Sequence, residues 1–203
     1  MTLKDWIAPA RTALLLIDMQ VDFASPEGAL ARSGTDMVAA QAAVGQATGL
    51  TAAARTAGVR CVFVRLVTQE KGETEFLQEW KNRRGSDGPP LCREGTPGAA
   101  FVGPQPQARE LVFSKKRYDA FFGTRLDAAL RGLGIDTLVV AGLTTECCIA
   151  SSVQSAFERD YHVAVVSDAT ACYQPELHAA ALRALKLNYA GLVTAADVLA
   201  AWK

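Results

Sequence analysis

Short, uninterrupted apolar segments alternate along this chain with longer helix-compatible segments, and this alternation limits its possible folds more than any other feature. The run at 13–17 is apolar throughout and ends at Asp18, which is typical of a strand buried on both faces of a parallel sheet. Repeated strand–helix units predict an α/β fold, a doubly wound, mostly parallel six-stranded sheet with helices on both faces in a Rossmann-like three-layer arrangement. The predicted strands are 13–17, 59–67, 111–113, 137–141, 162–166 and 192–193, and the predicted helices are 36–56, 123–133, 145–159, 175–187 and 195–202.

The length of 203 residues suits one domain, which we expect to span 1–203. One stretch, at about 69–107, departs from the strand–helix pattern because it is rich in Gly, Pro and charged residues. A long irregular segment inside a compact domain is usually functional, so we expect this excursion to cover part of the site.

The charges of the chain balance, with 21 basic and 21 acidic residues and a formal net charge of zero. This balance gives no electrostatic reason to expect nucleic acid or an anionic membrane as a partner. No apolar run approaches the roughly 20 residues that span a bilayer, and the first residues lack the layout of a signal peptide. We therefore expect a cytoplasmic protein.

Cysteine and histidine usage limits the chemistry further. The chain has five cysteines at irregular spacing and two histidines, His162 and His178. An odd number of cysteines in a reducing compartment does not predict a disulfide framework. With no C-x-x-C pair and so few histidines, we expect no metal site, and the sequence indicates no cofactor.

Polar residues that follow the predicted strands are the candidates for chemistry, because sites in open parallel sheets form beyond the carboxyl ends of the strands. Neither histidine lies at such an end. The candidates are Asp18 and Gln20 after the first strand, Arg65 after the second, Lys115 and Lys116 after the third, Thr144, Thr145, Glu146, Cys147 and Cys148 after the fourth, and Asp168 after the fifth.

Cys148 is the candidate nucleophile, because it lies in the first turn of a predicted helix, behind a threonine cap. A thiol there faces the positive end of the helix dipole and unpaired backbone N–H groups, which favour the thiolate and could hold an oxyanion. On spacing alone, however, most cysteines of this kind are small, inert, buried residues.

Asp18 is the candidate base, because a carboxylate at a strand end beside an apolar core suits a proton acceptor. Its alternative role is to cap the following turn. Lys115 or Lys116 could pair with Asp18 or stabilise negative charge, and one of the two is expected to be a solvated surface residue. A cysteine–histidine relay is less favoured, because His162 begins a strand and His178 lies within a helix.

Four segments carry the most specific pattern: residues 15–23 (LLIDMQVDF), 95–99 (GTPGA), 115–124 (KKRYDAFFGT) and 142–149 (GLTTECCI), the last followed by SDAT at 167–170. Taken together and in this order, they resemble the motifs of the isochorismatase-like cysteine hydrolases, a group that includes nicotinamidases, carbamoylsarcosine and ureidoacrylate amidohydrolases, and isochorismatase. The resemblance extends over nearly the whole chain.

This resemblance implies a catalytic triad of Asp18, Lys115 and Cys148. The family pattern Lys-x-Arg-Tyr selects Lys115 over Lys116, and the spacing of six residues from the motif glycine selects Cys148 over Cys147. The resemblance also implies a homodimer or homotetramer.

The backbone before the predicted helix has two implied features. The family carries a cis peptide there, which in this chain would lie at Leu143–Thr144 or Thr144–Thr145. The backbone N–H groups of Cys148 and Thr145 would hold the oxyanion.

Two departures narrow the activity that the resemblance implies. Nicotinamidases hold a metal with an Asp-x-His motif after the second strand, whereas residues 64–69 of this chain contain no histidine. Isochorismatases that cleave a vinyl ether can lack the cysteine, which this chain keeps. The resemblance therefore implies a metal-free hydrolase that cleaves a C–N bond of a small amide, ureide or carbamoyl substrate through a thioester-type acyl-enzyme.

Position in the sequence suggests a set of substrate-binding residues, in which aromatic side chains line a pocket and an arginine holds a substrate carboxylate. They are Gln20, Phe23, Arg65, Trp80, Arg84, Tyr118 and Phe122. Three alternatives remain open: a vinyl-ether hydrolase that uses Asp18, a redox protein that uses the Cys147–Cys148 pair, and a catalytically silent binding protein.

Overall fold

The computed structural model describes residues 2–69, 74–83 and 90–203. Within them, six parallel strands form one sheet, which confirms the predicted fold class. The strands are β1 (Thr12–Ile17), β2 (Arg60–Leu66), β3 (Leu111–Lys115), β4 (Thr137–Leu143), β5 (His162–Ala171) and β6 (Gly191–Val193). They lie in the order β3-β2-β1-β4-β5-β6.

Helices cover both faces of the sheet. They are α1 (Leu3–Trp6), α2 (Val21–Ala24), α3 (Ala29–Arg32), α4 (Val38–Ala57), α5 (Glu75–Arg83), α6 (Leu126–Gly132), α7 (Ala150–Phe157), α8 (Pro175–Asn188) and α9 (Ala195–Ala201). A single π-helical turn, Thr145–Ile149, precedes α7 and is called the Cys148 turn below. In the described ranges, no helix combines the length and the apolar character needed to cross a membrane.

The core is divided by the sheet into two clusters, because successive side chains of a strand point to opposite faces. Leu14 and Leu16 of β1 belong to the cluster beneath α4 and α9. Leu15 and Ile17 belong to the cluster beneath α6, α7 and α8. Burial on both faces explains why β1 is apolar at nearly every position rather than alternating.

The chain order reverses between β1 and β4, since β2 and β3 extend to one side of β1 and β4 returns to the other. In open α/β sheets, the crevice beyond the strand ends at such a switch point is where ligands bind. Asp18 directly follows β1, and the Cys148 turn follows β4 after one residue. The topology therefore brings both segments to the same crevice.

Most predicted elements are present with shifted ends, and three differences affect the crevice. β3 extends to Lys115 and β4 extends to Leu143, so both strands reach further than predicted. The predicted helix at 145–159 begins as the π-helical Cys148 turn and becomes α-helical only at Ala150.

The excursion at 69–107 is partly regular in its described residues. It contains α5 and a 3-10 turn at Pro97–Ala99, neither of which the sequence pattern predicts. Single β-bridges join Thr68 to Arg93 and Gln20 to Phe101. The second half of the excursion is thereby anchored to the ends of β1 and β2.

Gly142 allows β1 and β4 to approach closely at the switch point. Its φ is 138°, and a Cβ built on it would lie 2.1 Å from the carbonyl oxygen of Ile17. This carbonyl oxygen belongs to the backbone of β1, so it cannot rotate away as a side chain could. We therefore expect Gly142→Ala to lower the free energy of unfolding by roughly 3 kcal/mol, measured by urea denaturation.

Gly45→Ala is the matched control for this prediction. Gly45 lies on the exposed side of α4, and a Cβ there would have no atom within 4 Å. Alanine should raise the stability of the helix by up to about 1 kcal/mol. Unchanged stability of Gly142→Ala would contradict the close approach of the two strands.

Candidate active site

Three strand ends bring Asp18, Lys115 and Cys148 together. Asp18 follows β1, Lys115 ends β3, and Cys148 lies in the turn after β4. Since β3 lies two strands from β1, about 10 Å away, only a long side chain can bridge the gap. All three side chains are buried. Lys116, by contrast, is exposed and donates from Nζ to Oε1 of Gln69 over 2.9 Å.

The ammonium of Lys115 is held by three partners. Its Nζ lies 2.7 Å from Oδ2 of Asp18, 3.3 Å from Sγ of Cys148 and 3.0 Å from the carbonyl oxygen of Arg117. The first contact is an ion pair, and the other two are hydrogen bonds that the ammonium donates. Burial alone would lower the pKa of Lys115, but the negative charge of Asp18 and the contact with the Cys148 sulfur raise it above its ordinary value. Lys115 is therefore a fixed cation between a carboxylate and a sulfur.

Asp18 is anchored through its backbone rather than through its side chain. Its φ of 54° lies in the left-handed region, and its N–H donates to the carbonyl oxygen of Val64 over 2.8 Å. Among the described residues, neither carboxylate oxygen has a well-aligned hydrogen bond, and the counter-charge is Lys115. The alternative in which Asp18 caps the following turn is therefore wrong. Its free lone pairs can accept a proton from a group in the crevice.

The Cys148 turn is built on the carbonyl oxygen of Thr144, which accepts the N–H groups of Cys147 and Ile149, both over 3.1 Å. The peptide bond between Leu143 and Thr144 is cis, at the first of the two positions that the resemblance implies.

The Cys148 thiol differs from the sequence expectation in its ionisation. The adjacent Cys147 thiol, burial and the negative charge of Asp18 raise the pKa of Cys148, while the Lys115 ammonium opposes them. A helix start favours the thiolate, but the surroundings of Cys148 in the folded chain favour the thiol. The free protein holds a thiol that needs a base.

The predicted threonine cap is also absent. The hydroxyl of Thr144 donates to Oε1 of Glu146 over 2.8 Å, and Oγ1 of Thr145 lies 2.8 Å from Nδ1 of His178. Neither hydroxyl bonds to the backbone of the turn, because one bonds to a carboxylate and the other to an imidazole instead.

Gln20 lies in the scaffold of the crevice. Its fully buried amide nitrogen donates to the carbonyl oxygens of Leu66 and Ala99 over 2.9 and 3.0 Å, and its amide oxygen accepts the N–H of Leu66 over 2.8 Å. These bonds connect the end of β2 and the Pro97–Ala99 turn to the segment that follows β1. Both N–H donors of the amide are used within the fold, which gives Gln20 a structural role, and its role in substrate binding stays a prediction.

The other predicted substrate-binding residues have varied surroundings. The guanidinium of Arg65 donates to Oγ of Ser114 over 3.1 Å and lies 5.9 Å from the ring centre of Phe101. Phe23 is half-buried against the core, and Arg84 lies outside the described residues. Their roles stay predictions. The exposed aromatic candidates are Trp80, Tyr118 and Phe122.

Two groups near the crevice have no signal in the sequence. The hydroxyl of Tyr173 donates to the carbonyl oxygen of Phe23 over 2.7 Å. Cys92 is fully buried, and its N–H donates to Oδ2 of Asp22 over 2.7 Å. Burial and the charges of Asp18 and Asp22 raise the pKa of Cys92, so it is a protonated thiol. Both residues lie in segments without periodicity, which is why only the folded chain reveals them.

Comparison with known proteins places these features in a family. The model of the isochorismatase domain matches residues 12–197, a range that contains Asp18, Lys115 and Cys148. This chain belongs to the isochorismatase family. Within the isochorismatase family, the ureidoacrylate amidohydrolase RutB of Methylobacterium radiotolerans is 31% identical to it over 191 residues, which cover 86% of this chain and 72% of that protein.

Solved structures of the isochorismatase fold superpose closely on this chain. N-carbamoylsarcosine amidase from Thermoplasma acidophilum does so with a TM-score of 0.75 at 26% identity, over 91% of this chain and 96% of that one. A cysteine hydrolase from Pseudomonas syringae pv. phaseolicola 1448A gives a TM-score of 0.85 over 97% and 94% of the two chains. At 24% identity, the second comparison shows the shared fold alone.

Proposed function

We propose that this protein is a cysteine-dependent hydrolase that cleaves a non-peptide C–N bond in a small amide, ureide or carbamoyl substrate. The observation that carries the proposal is the buried line of contacts from Asp18 through Lys115 to Cys148, with distances of 2.7 and 3.3 Å. These contacts support a base, a cation and a nucleophile that act on one carbonyl group.

Acylation begins with proton transfer from Cys148 to Asp18, a step that the raised pKa of the thiol makes necessary. Lys115 keeps a positive charge beside the new thiolate. The sulfur attacks the carbonyl carbon, and the C–N bond then breaks. Asp18 returns the proton to the leaving nitrogen, so ammonia or an amine departs and the acyl group stays on the sulfur.

In deacylation, water is the nucleophile and the Cys148 sulfur is the leaving group. Asp18 takes a proton from the water, whose oxygen attacks the acyl carbon, and the C–S bond breaks. The proton then returns to the sulfur as the acid leaves. In both steps, the backbone N–H groups of Cys148 and Thr145 hold the oxyanion, because the first N–H groups of a helical turn have no acceptor within the helix.

The names of two relatives support the substrate class. Ureidoacrylate and N-carbamoylsarcosine both carry a carbamoyl group, –CO–NH₂, on a nitrogen atom. Ureides and N-carbamoyl acids are therefore the first substrates to test. By the same resemblance, we expect a homodimer or homotetramer.

A screen for ammonia release tests the proposed function. The panel contains primary amides, ureides and N-carbamoyl amino acids, and Cys148→Ala serves as the blank for each compound. We expect release above the blank from at least one class. No release from any compound, or equal release by the blank, would overturn the proposal.

Removing the charge of Asp18 should have opposite effects on alkylation and on hydrolysis. Because this charge raises the pKa of Cys148, Asp18→Asn lowers that pKa and increases the thiolate fraction at pH 8, by about tenfold for each unit. Iodoacetamide should therefore modify Cys148 faster. Amide hydrolysis should fall by about 10²-fold or more, because the base is lost.

The alkylation rates are measured from pH 6 to 10 in a Cys147→Ala background, with the modified residue mapped by mass spectrometry. Cys147→Ala and Cys147→Ala/Asp18→Asn both lack the neighbouring thiol, so a difference between their rates is due to Asp18. Slower alkylation of Cys148 in Asp18→Asn, or undiminished hydrolysis, would contradict the assigned base.

A further inference from the structure

A hydrogen bond between Thr145 and His178 joins the Cys148 turn to α8. Nδ1 of His178 lies 2.8 Å from Oγ1 of Thr145. Thr145 is fully buried and begins the turn that carries Cys148. In the described part of the chain, this is the hydrogen bond that the Thr145 hydroxyl makes, and the half-buried His178 supplies it from the first turn of α8.

We propose that His178 is a positioning residue, which holds Thr145 and thereby aims the backbone N–H groups of the Cys148 turn at the oxyanion. The inference rests on the proposed function, because the oxyanion is that of the hydrolysed carbonyl. His178 acts through Thr145, and the mechanism above assigns it no proton transfer.

The physical reason lies in the short path from the hydroxyl to the backbone. Three bonds separate Oγ1 of Thr145 from the nitrogen of the same residue, and the χ1 torsion of a β-branched side chain is stiff. A bond that fixes Oγ1 therefore restricts the direction of the Thr145 N–H. The hydroxyl of Thr144 gives no such restraint, because its partner is the exposed carboxylate of Glu146.

The ionisation of His178 suits this role. Burial lowers the pKa of His178, and the nearby carboxylate of Glu146 opposes the shift only in part. The neutral imidazole can accept the Thr145 hydroxyl proton at Nδ1 while it keeps its own proton on Nε2. The bond therefore adds no charge beside the Asp18–Lys115 pair.

Two polar substitutions of His178 test the proposal. An asparagine amide reaches the position of Nδ1, whereas a glutamine amide reaches that of Nε2. We expect His178→Gln to lower kcat by about 10- to 100-fold with KM within about twofold, since small misplacements of catalytic groups cost rate rather than binding. His178→Asn should retain kcat within about threefold. Both are assayed on an amide that the wild-type protein hydrolyses, with thermal melting as the check on folding.

Substitutions of Thr145 test the same hydrogen bond. They keep the proposal testable if a His178 variant does not fold. Thr145→Ser keeps the hydroxyl but not the stiff β-branch, so it should lose less kcat than Thr145→Val, which should lose as much as His178→Gln. The double variant Thr145→Val/His178→Gln should be no slower than either single variant, because both remove one interaction.

The outcomes separate the two proposals. Equal kcat of the asparagine and glutamine variants, or losses that multiply in the double variant, would overturn the role of His178 while wild-type turnover upholds the hydrolase. If the wild-type protein hydrolyses no compound of the panel, the proposed function fails and the role of His178 fails with it.

Discussion

Cys148→Ala should reduce kcat by at least about 10⁴-fold on any amide that the wild-type protein hydrolyses, while the variant remains folded. The loss is large because the sulfur forms the covalent bond in both half-reactions, and the remaining N–H groups can stabilise only an attack by water. Cys148→Ser should lose nearly as much, because a hydroxyl is a far weaker acid than a thiol and Asp18 would have to deprotonate it. Steady-state ammonia release measures both variants.

Cys147→Ala is the matched control for this substitution. Cys147 is the adjacent residue, has the same side chain and is partly exposed. Its loss should leave kcat within about tenfold of the wild-type value, because it forms no bond to the substrate. Normal turnover by Cys148→Ala would exclude the covalent mechanism.

Lys115→Met should lower the free energy of unfolding by about 3–5 kcal/mol, in addition to abolishing activity. The substitution leaves the Asp18 carboxylate buried without its counter-charge, and the described residues supply no well-aligned hydrogen bond to either of its oxygens. Such a loss is a large share of the stability of an ordinary domain. Urea denaturation at pH 7 measures it.

Two variants separate this charge effect from a general effect of the substitution. Lys116→Met makes the same change one residue later, on an exposed side chain, and should alter stability by less than about 0.5 kcal/mol. The double variant Asp18→Asn/Lys115→Met removes both charges and should recover most of the loss. If Lys115→Met were as stable as Lys116→Met, the buried pair would have no electrostatic role.

The fold could be predicted because its signal is local. Solid apolar runs such as 13–17 are typical of strands buried on both faces. The strand order, and with it the switch point, comes from the structure. The four-residue helices α1, α2 and α3 are too short to show a helical period, and α5 lies among charged residues. Such helices show no apolar periodicity, so the hydrophobic pattern does not predict them.

Within the candidate site, residue identity was easier to predict than residue environment. The motif register selects Lys115, and that is the lysine that reaches Asp18 and Cys148. The raised pKa of Cys148 could not be read from the sequence, because it depends on how the Cys147 thiol is oriented, on burial and on the carboxylate of Asp18 from another strand. The three bonds of the Gln20 amide likewise depend on segments far away in sequence.

His178 lies near the Cys148 turn although the sequence pattern does not place it there. The sequence disfavours it as a base, because it lies within a helix rather than after a strand. In a parallel α/β unit, however, the first turn of the helix lies at the same edge of the sheet as the carboxyl end of the preceding strand. His178 is the fourth residue of α8, so its contact with Thr145 follows from the topology.

The covalent role of Cys148 is tested most directly by acid quenching during turnover. The protein is mixed with a saturating amide substrate, quenched from milliseconds to seconds, digested and examined by mass spectrometry. The account predicts the mass of the acyl group on Cys148 in the wild-type protein and no such adduct in Cys148→Ala. Ammonia release with Cys148 unmodified at every time, or an adduct on Cys147 instead, would contradict it.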